Sequence, residues 1–212
     1  MTTSRTLRIA ATAATVFVLA ACGSGTDDAP ATATDPAPDL RSAPAELTWR
    51  QINGVSVPTS RIDGPRTGTS VNRSGYTQTP QGAVLAAING QTALAVADDR
   101  TWPEVVNTVT APGPGRDEFA AARAGVTVSG SVPAGAAPTF AGFEITDYQA
   151  DPLTAAVSVA QTIGDNNQLY SYPVALQWIS EDWRIVLPTA EENIDAVELG
   201  SLDGYTTLEQ NS

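Results

Sequence analysis

Few side chains in this 212-residue chain can do covalent or acid–base chemistry. Cys22 is the only thiol, there is no histidine, and all 11 basic residues are arginine. Without histidine there is no Ser-His-Asp or Cys-His pair and no His-ligated zinc. Without lysine there is no Schiff base and no Walker-type phosphate loop. Carboxylates and phenols remain. Glu181-Asp182 and Glu191-Glu192 are adjacent pairs, but neighbours in a strand or turn point in different directions, so both read as solvated turn and tail positions. Asp98-Asp99 stands just before a helix start, where negative charge complements the helix dipole. Asp165-Asn166-Asn167 fits a hairpin turn, and the calcium-loop pattern with its glycine and terminal glutamate is absent. These readings assign no catalytic, cofactor-binding or metal-binding residue.

Cys22 is the position with a definite chemistry. Arg5 and Arg8 precede an uncharged apolar run, Ile9 to Ala21, and small residues lead into the cysteine. At about 1.5 Å per residue the run covers roughly 20 Å, short of a hydrocarbon core of about 30 Å. Leu19-Ala20-Ala21-Cys22 resembles the lipobox of bacterial lipoproteins. The resemblance implies cleavage before Cys22 and a thioether-linked diacylglyceryl group on its sulfur. Two acyl chains, at about 0.8 kcal/mol per buried methylene, anchor stably where one does not. The expected partner of Cys22 is therefore the membrane, and the expected location is the extracytoplasmic face.

The elements behind this anchor fall into four stretches: a signal peptide over 1–21, a Pro/Ala/Asp-rich tether over 22–46, a globular domain over 47–190, and an acidic extension over 191–212. The tether cannot bury enough apolar surface to offset its ordering entropy. Loss of residues 1–21 removes two arginines and no acid, so the formal charge falls from −12 to −14. That balance argues against nucleic acid as a partner, because binding a phosphate backbone requires broad cationic neutralisation. It argues equally against electrostatic docking on an anionic membrane.

Within the domain, Leu47, Trp49 and Ile52, the turn Asn53-Gly54, and Val55 and Val57 predict a short hairpin or an edge strand. Residues 61–75 read as an irregular loop. Thr79-Pro80 starts the clearest helix, with Val84, Leu85, Ile88 and Leu94 at helical spacing and a break possible at Gly90. A second helix begins at Thr101, with Thr101 and Glu104 at capping-box spacing and Val105, Val106 and Val109 inward. A third runs from Arg116 to Ala124. The period then changes to two. Phe143 and Ile145, then Val157, Val159, Gln161 and Ile163, alternate with smaller or polar residues. Tyr170, Tyr172, Val174, Leu176 and Trp178 share one strand face, and Pro173 on the other face calls for an edge or a bulge. Trp183, Ile185 and Leu187 form a last strand. The acidic tail is expected to be exposed, pinned by Leu202 and Tyr205.

Two or three helices followed by a curved antiparallel meander make an α+β fold, of cystatin-like or NTF2-like form. An NTF2-like cone can house an Asp/Tyr acid–base site of the ketosteroid-isomerase type, for which Asp147, Tyr148, Tyr170 and Tyr172 are the available groups. Nothing in their spacing gathers them. Tyr170, Tyr172 and Trp178 are the candidate interface or pocket residues, with core packing as the alternative.

Several short words extend the reading. They are Trp49, Gly54-Val55 and Val57-Pro58; Gly64-Pro65; Gly75-Tyr76, Thr79-Pro80 and Gly82-Ala83, with Ala86-Ala87 and Asn89; and Asp182-Trp183-Arg184 with Leu187-Pro188. Together they resemble an uncharacterised family of actinobacterial surface lipoproteins found near mobile-element and conjugation-type genes. The resemblance implies a surface lipoprotein and carries over no site residues. The functional expectation is a non-enzymatic interaction domain serving an envelope-associated assembly through a protein partner. The alternatives are a small-ligand binder with a sheet-lined pocket and an Asp/Tyr enzyme.

Overall fold

In the computed structural model, residues 37–164, 168–192 and 194–210 are described. The first element is a hairpin, β1 (Leu47–Ile52) with β2 (Val55–Ser60). Its two-residue turn needs positive φ at both positions, and Asn53 (43°) and Gly54 (94°) supply it. The expected loop over 61–75 contains a small second hairpin, β3 (Thr67–Gly68) with β4 (Arg73–Ser74).

The long helix α1 (Pro80–Val96) starts as expected. The Thr79 hydroxyl accepts from the Gly82 N–H at 3.0 Å, and Pro80 occupies the first turn, where no N–H is needed. Thirteen of its 17 residues are buried, which is the pattern of a helix enclosed on every side. It lies between the β1–β2 hairpin and a large sheet. Asn89 fastens it to the hairpin, its amide nitrogen donating to Pro58 O and Leu85 O at 2.9 Å each. Gly90 does not break the helix. A Cβ there would stand 2.7 Å from Ile185 Cδ1, so the glycine marks close approach to the sheet.

Helix α2 (Trp102–Val109) buries Val105, Val106 and Val109 as expected, but Thr101 makes no capping bond. Its hydroxyl donates instead to Asp98 Oδ1 at 2.8 Å, and Glu104 accepts from Asn72 Nδ2 at 2.9 Å. The carboxylate three residues upstream outcompetes the helix end for the hydroxyl. Helix α3 (Pro114–Arg123) is docked by Arg123, which is 7% exposed. Its guanidinium reaches Ala97 O and Asp99 Oδ1 at 3.0 Å each and lies 5.5 Å from the Trp102 ring centroid.

The meander follows: β5 (Pro138–Ala150), β6 (Leu153–Ile163), β7 (Leu169–Ile179) and β8 (Asp182–Val186), each antiparallel to the last. The fold class is thus α+β with helices before the meander. Register shifts between Phe140 and Gly142 and between Ile145 and Asp147 bend β5. Phe143, Val157, Val159, Leu176 and Ile185 pack beneath Ala83, Val84, Ala87 and Ile88 of α1.

Both ends of the domain extend beyond the expected 47–190. Before β1, Gln81 Nε2 donates to Asp39 O and Ser42 O, Pro44 is buried, and Ala45 N donates to Asp63 Oδ2. Residues 39–46 therefore lie on the domain and are not tether. After β8, β9 (Val197–Leu199) pairs with β7 and β10 (Thr206–Thr207) pairs with β5. Leu208 is buried in the core, Trp49 Nε1 donates to Glu209 O, and the Tyr205 hydroxyl donates to Ser171 Oγ at 2.8 Å. The acidic tail is thus a returning strand segment. Leu208, rather than Leu202, is its apolar pin, and Tyr205 holds as expected. The break between β8 and β9 also accommodates Pro173. Residues 172–174 of β7 have no partner on that side, a local edge that tolerates a missing N–H.

Candidate functional site

Cys22, with the whole lipobox, and Asp165-Asn166-Asn167 lie outside the described residues. The aromatic strip of β7 is within them, and the structure divides it. Val174 and Leu176, in its middle, are buried in the core. Trp178 stands edge-on to Trp183, ring centroids 5.5 Å apart at 76°, and Tyr148 leans on the same indole at 6.1 Å. Trp183 is itself 2% exposed and donates from Nε1 to Thr77 O at 2.8 Å. This cluster is core edge, which is the packing alternative for Trp178. Tyr170 is half-buried and sits between Gln161 of β6 and Glu198 of β9. Tyr172 alone reaches a cavity.

That cavity, about 390 Å³, opens between the C-terminal half of α1 and the end of the sheet. α1 contributes Gln91, Thr92, Ala95 and Val96, the sheet contributes Phe140, Gln161, Ile163 and Tyr172, and Val55 of β2 and Val132 close the sides. The wall is mostly apolar because α1 carries small residues there and β6 ends in isoleucine. Its polar groups are placed sparingly. Gln161 is 7% exposed, and Gln91 Nε2 reaches its Oε1 at 3.5 Å, the limit of a hydrogen bond. The Thr92 hydroxyl is spent on Ile88 O at 2.8 Å. Ile163, expected on the buried face, is 41% exposed and stands at the cavity. A cavity of this size and lining is suited to a small, largely apolar molecule with a hydrogen-bonding group.

The groups needed for an Asp/Tyr site do not converge. Asp147 is exposed and accepts from Gln149 Nε2 at 2.7 Å. Tyr148 pairs with Ala155, and Tyr172 with Val159 further along β6, about 13 Å apart at 3.3 Å per residue. Burial raises the Tyr148 phenol above its ordinary value, and no carboxylate lines the cavity among the described residues.

The carboxylate pairs have structural duties. Glu181 is exposed in the turn, while Asp182 is buried and holds Gly75 N at 2.9 Å and Tyr76 N at 3.1 Å. Burial and the Asp182 charge together push the Tyr76 phenol far above its usual range. Glu192 accepts from Thr189. Among the described residues no group of three metal-ligating side chains forms, and no helix is long and apolar enough to cross a membrane.

Gln91 and Phe140 were not singled out from the sequence. Gln161 was, but only as a core position. The available signal for Gln161 was its polarity at a core-facing place in the β6 alternation. Nothing local marks Gln91, because its role depends on which strand end lies beneath α1.

The model of one protein family, described as a domain of unknown function (DUF8175), matches residues 10–207. No curated protein and no solved structure matches the chain.

Proposed function

The chain belongs to the DUF8175 family, a domain of unknown function, and we propose that it is a lipid-anchored, extracytoplasmic, non-enzymatic binding protein. The observation that carries the binding reading is the cavity beside Tyr172, mostly apolar, with the Gln91–Gln161 pair among its few polar groups. Its ligand is a small, mostly apolar molecule that offers a hydrogen-bonding group to the two amides. The anchor reading rests on Leu19-Ala20-Ala21-Cys22 after its apolar run, and the short words quoted above support a place among actinobacterial surface lipoproteins near conjugation-type genes.

Two measurements test this. Mass spectrometry of the mature N-terminus is expected to show a diacylglyceryl adduct on Cys22; a free thiol refutes the anchor. Thermal-shift screening against fatty acids, lysolipids and small terpenoids is expected to raise the melting temperature, because a ligand of the native state stabilises it by mass action. Ala95 is exposed at the cavity, so Ala95→Phe fills it without entering the core. Loss of the shift in that variant is expected; an unchanged shift refutes this cavity as the site.

A second reading, docking on a protein of an envelope assembly, draws on the exposure of Ile163 beside the same cavity. There a partner's apolar side chain takes the ligand's place. Recovery of one envelope protein by the wild type, and not by Ala95→Phe, distinguishes it from the small-ligand reading.

A further inference from the structure

A second concavity, about 610 Å³, lies between the β1–β2 hairpin and the β3–β4 hairpin. Four arginines line it: Arg50, Arg61, Arg66 and Arg73. No aspartate or glutamate is among its lining residues, in a chain whose formal charge is −12. More than a third of all arginines thus gather on one groove of an acidic protein.

The four are not equally engaged. Arg61 pairs with Glu46 at 2.8 Å, and its side chain is 84% exposed. Arg66 spends one nitrogen on Ile62 O at 3.0 Å, and Arg73 spends Nε on Ser70 O at 3.1 Å, which leaves the rest of each fork free. The Arg50 side chain forms no hydrogen bond and no ion pair among the described residues. The Arg73 guanidinium is half-buried, and its pKa is lowered first by that burial and also by the Arg50 charge, with Tyr76 acting in the opposite direction. Hydroxyls add donors. Thr69 Oγ1 accepts from Asn72 N, so its own proton is free, and Ser70 lines the same wall.

We propose that this groove binds a small ligand bearing two or more phosphate-type oxyanions, held by Arg50, Arg66 and Arg73. Guanidinium forks bind tetrahedral oxyanions through paired, charge-assisted hydrogen bonds, and one phosphate can accept from more than one fork. A single carboxylate would leave at least two of the three cations uncompensated. The groove is separate from the apolar cavity and shares no lining residue with it. A free phosphate compound and a phospholipid headgroup would present the same chemistry.

The test is calorimetric titration of the purified mature protein with inorganic pyrophosphate at fixed ionic strength. Citrate serves as the carboxylate comparator. Binding of pyrophosphate, tighter than that of citrate, is expected. Arg50→Gln removes a charge that holds nothing else in place, and about a tenfold or greater loss of affinity is expected from it. Arg73→Gln is expected to do the same, while Arg100→Gln, outside the groove, leaves affinity unchanged. No heat with pyrophosphate, equal or tighter binding of citrate, or a wild-type affinity in Arg50→Gln each overturns the proposal. Short-chain, monomeric phosphatidylinositol phosphate against inositol bisphosphate, two phosphates in each, separates the sources: tighter binding of the lipid assigns a headgroup, and tighter binding of inositol bisphosphate assigns a soluble compound.

Discussion

Replacing Asp182 by alanine should unfasten one corner of the domain. In the native protein its carboxylate accepts from Gly75 N at 2.9 Å, Tyr76 N at 3.1 Å and Trp183 N at 3.0 Å. Alanine leaves the Gly75 and Tyr76 donors without a partner across a sequence gap of more than a hundred residues. An unsatisfied buried donor costs about 1–3 kcal/mol, so two give about 2–6 kcal/mol. Gly75 is only half-buried and recovers part of its loss from water, which lowers the upper end and leaves about 2–4 kcal/mol. For a chain of this length that corresponds to a fall in melting temperature of about 4–16 °C. Urea denaturation followed by tryptophan fluorescence measures it directly, because Trp178 and Trp183 adjoin the site. Glu181→Gln is the control. Its exposed side chain should change stability by less than about 0.5 kcal/mol. A loss below about 1 kcal/mol for Asp182→Ala, or equal losses for the two variants, would refute the bracing role.

Three further outcomes are expected. Gly82→Ala should destabilise more than Gly90→Ala in urea melts: its Cβ would fall 2.1 Å from the fixed carbonyl of Thr77, whereas at Gly90 it meets the mobile end of Ile185 at 2.7 Å. At Gly90 the helix-propensity gain of about 1 kcal/mol offsets part of the clash. Arg123→Ala should cost about 1–3 kcal/mol in the same assay, since it leaves the Ala97 carbonyl without its buried donor. The Asp99 carboxyl is held below its ordinary value, first by the Val128 N–H and then by Arg123, and Asp98 is lowered chiefly by the Thr101 hydroxyl. A lowered folded-state pKa stabilises above the unfolded value, and that stability is lost as pH falls through the folded one. Asp99→Asn should therefore be less stable than wild type at neutral pH, with the gap closing as pH falls below the ordinary carboxylate range in parallel thermal melts.

Local chemistry alone settled a good part of this protein. A proline after a capping threonine starts a helix wherever it falls, and Asn53-Gly54 closes a hairpin because few other pairs accept two positive φ values. Alternation over Phe143–Ile145 and Val157–Gln161 exposes a half-buried sheet without knowledge of its partners. The absence of histidine and lysine removes whole classes of chemistry before any fold is considered.

Everything that depends on contact across long sequence distances needed the tertiary structure. Trp178 and Tyr172 have the same parity on β7, yet one packs on Trp183 and the other lines a cavity, because α1 covers only part of the sheet. Gly64-Pro65, Gly75-Tyr76, Thr79-Pro80 and Asp182-Trp183 are scattered words in the chain and one knot in space: a Cβ on Gly64 would meet Gly75 O, Asp182 holds Gly75 and Tyr76, and Trp183 reaches Thr77. The tail reads as solvated because it carries six acids and no base. It packs nonetheless, because two open strand edges and the bulge at Ala141 offer its backbone hydrogen bonds that composition does not reveal. The four groove arginines, spread over 50–73, show no periodicity at all; the two hairpins and the connection between them bring these residues to one groove.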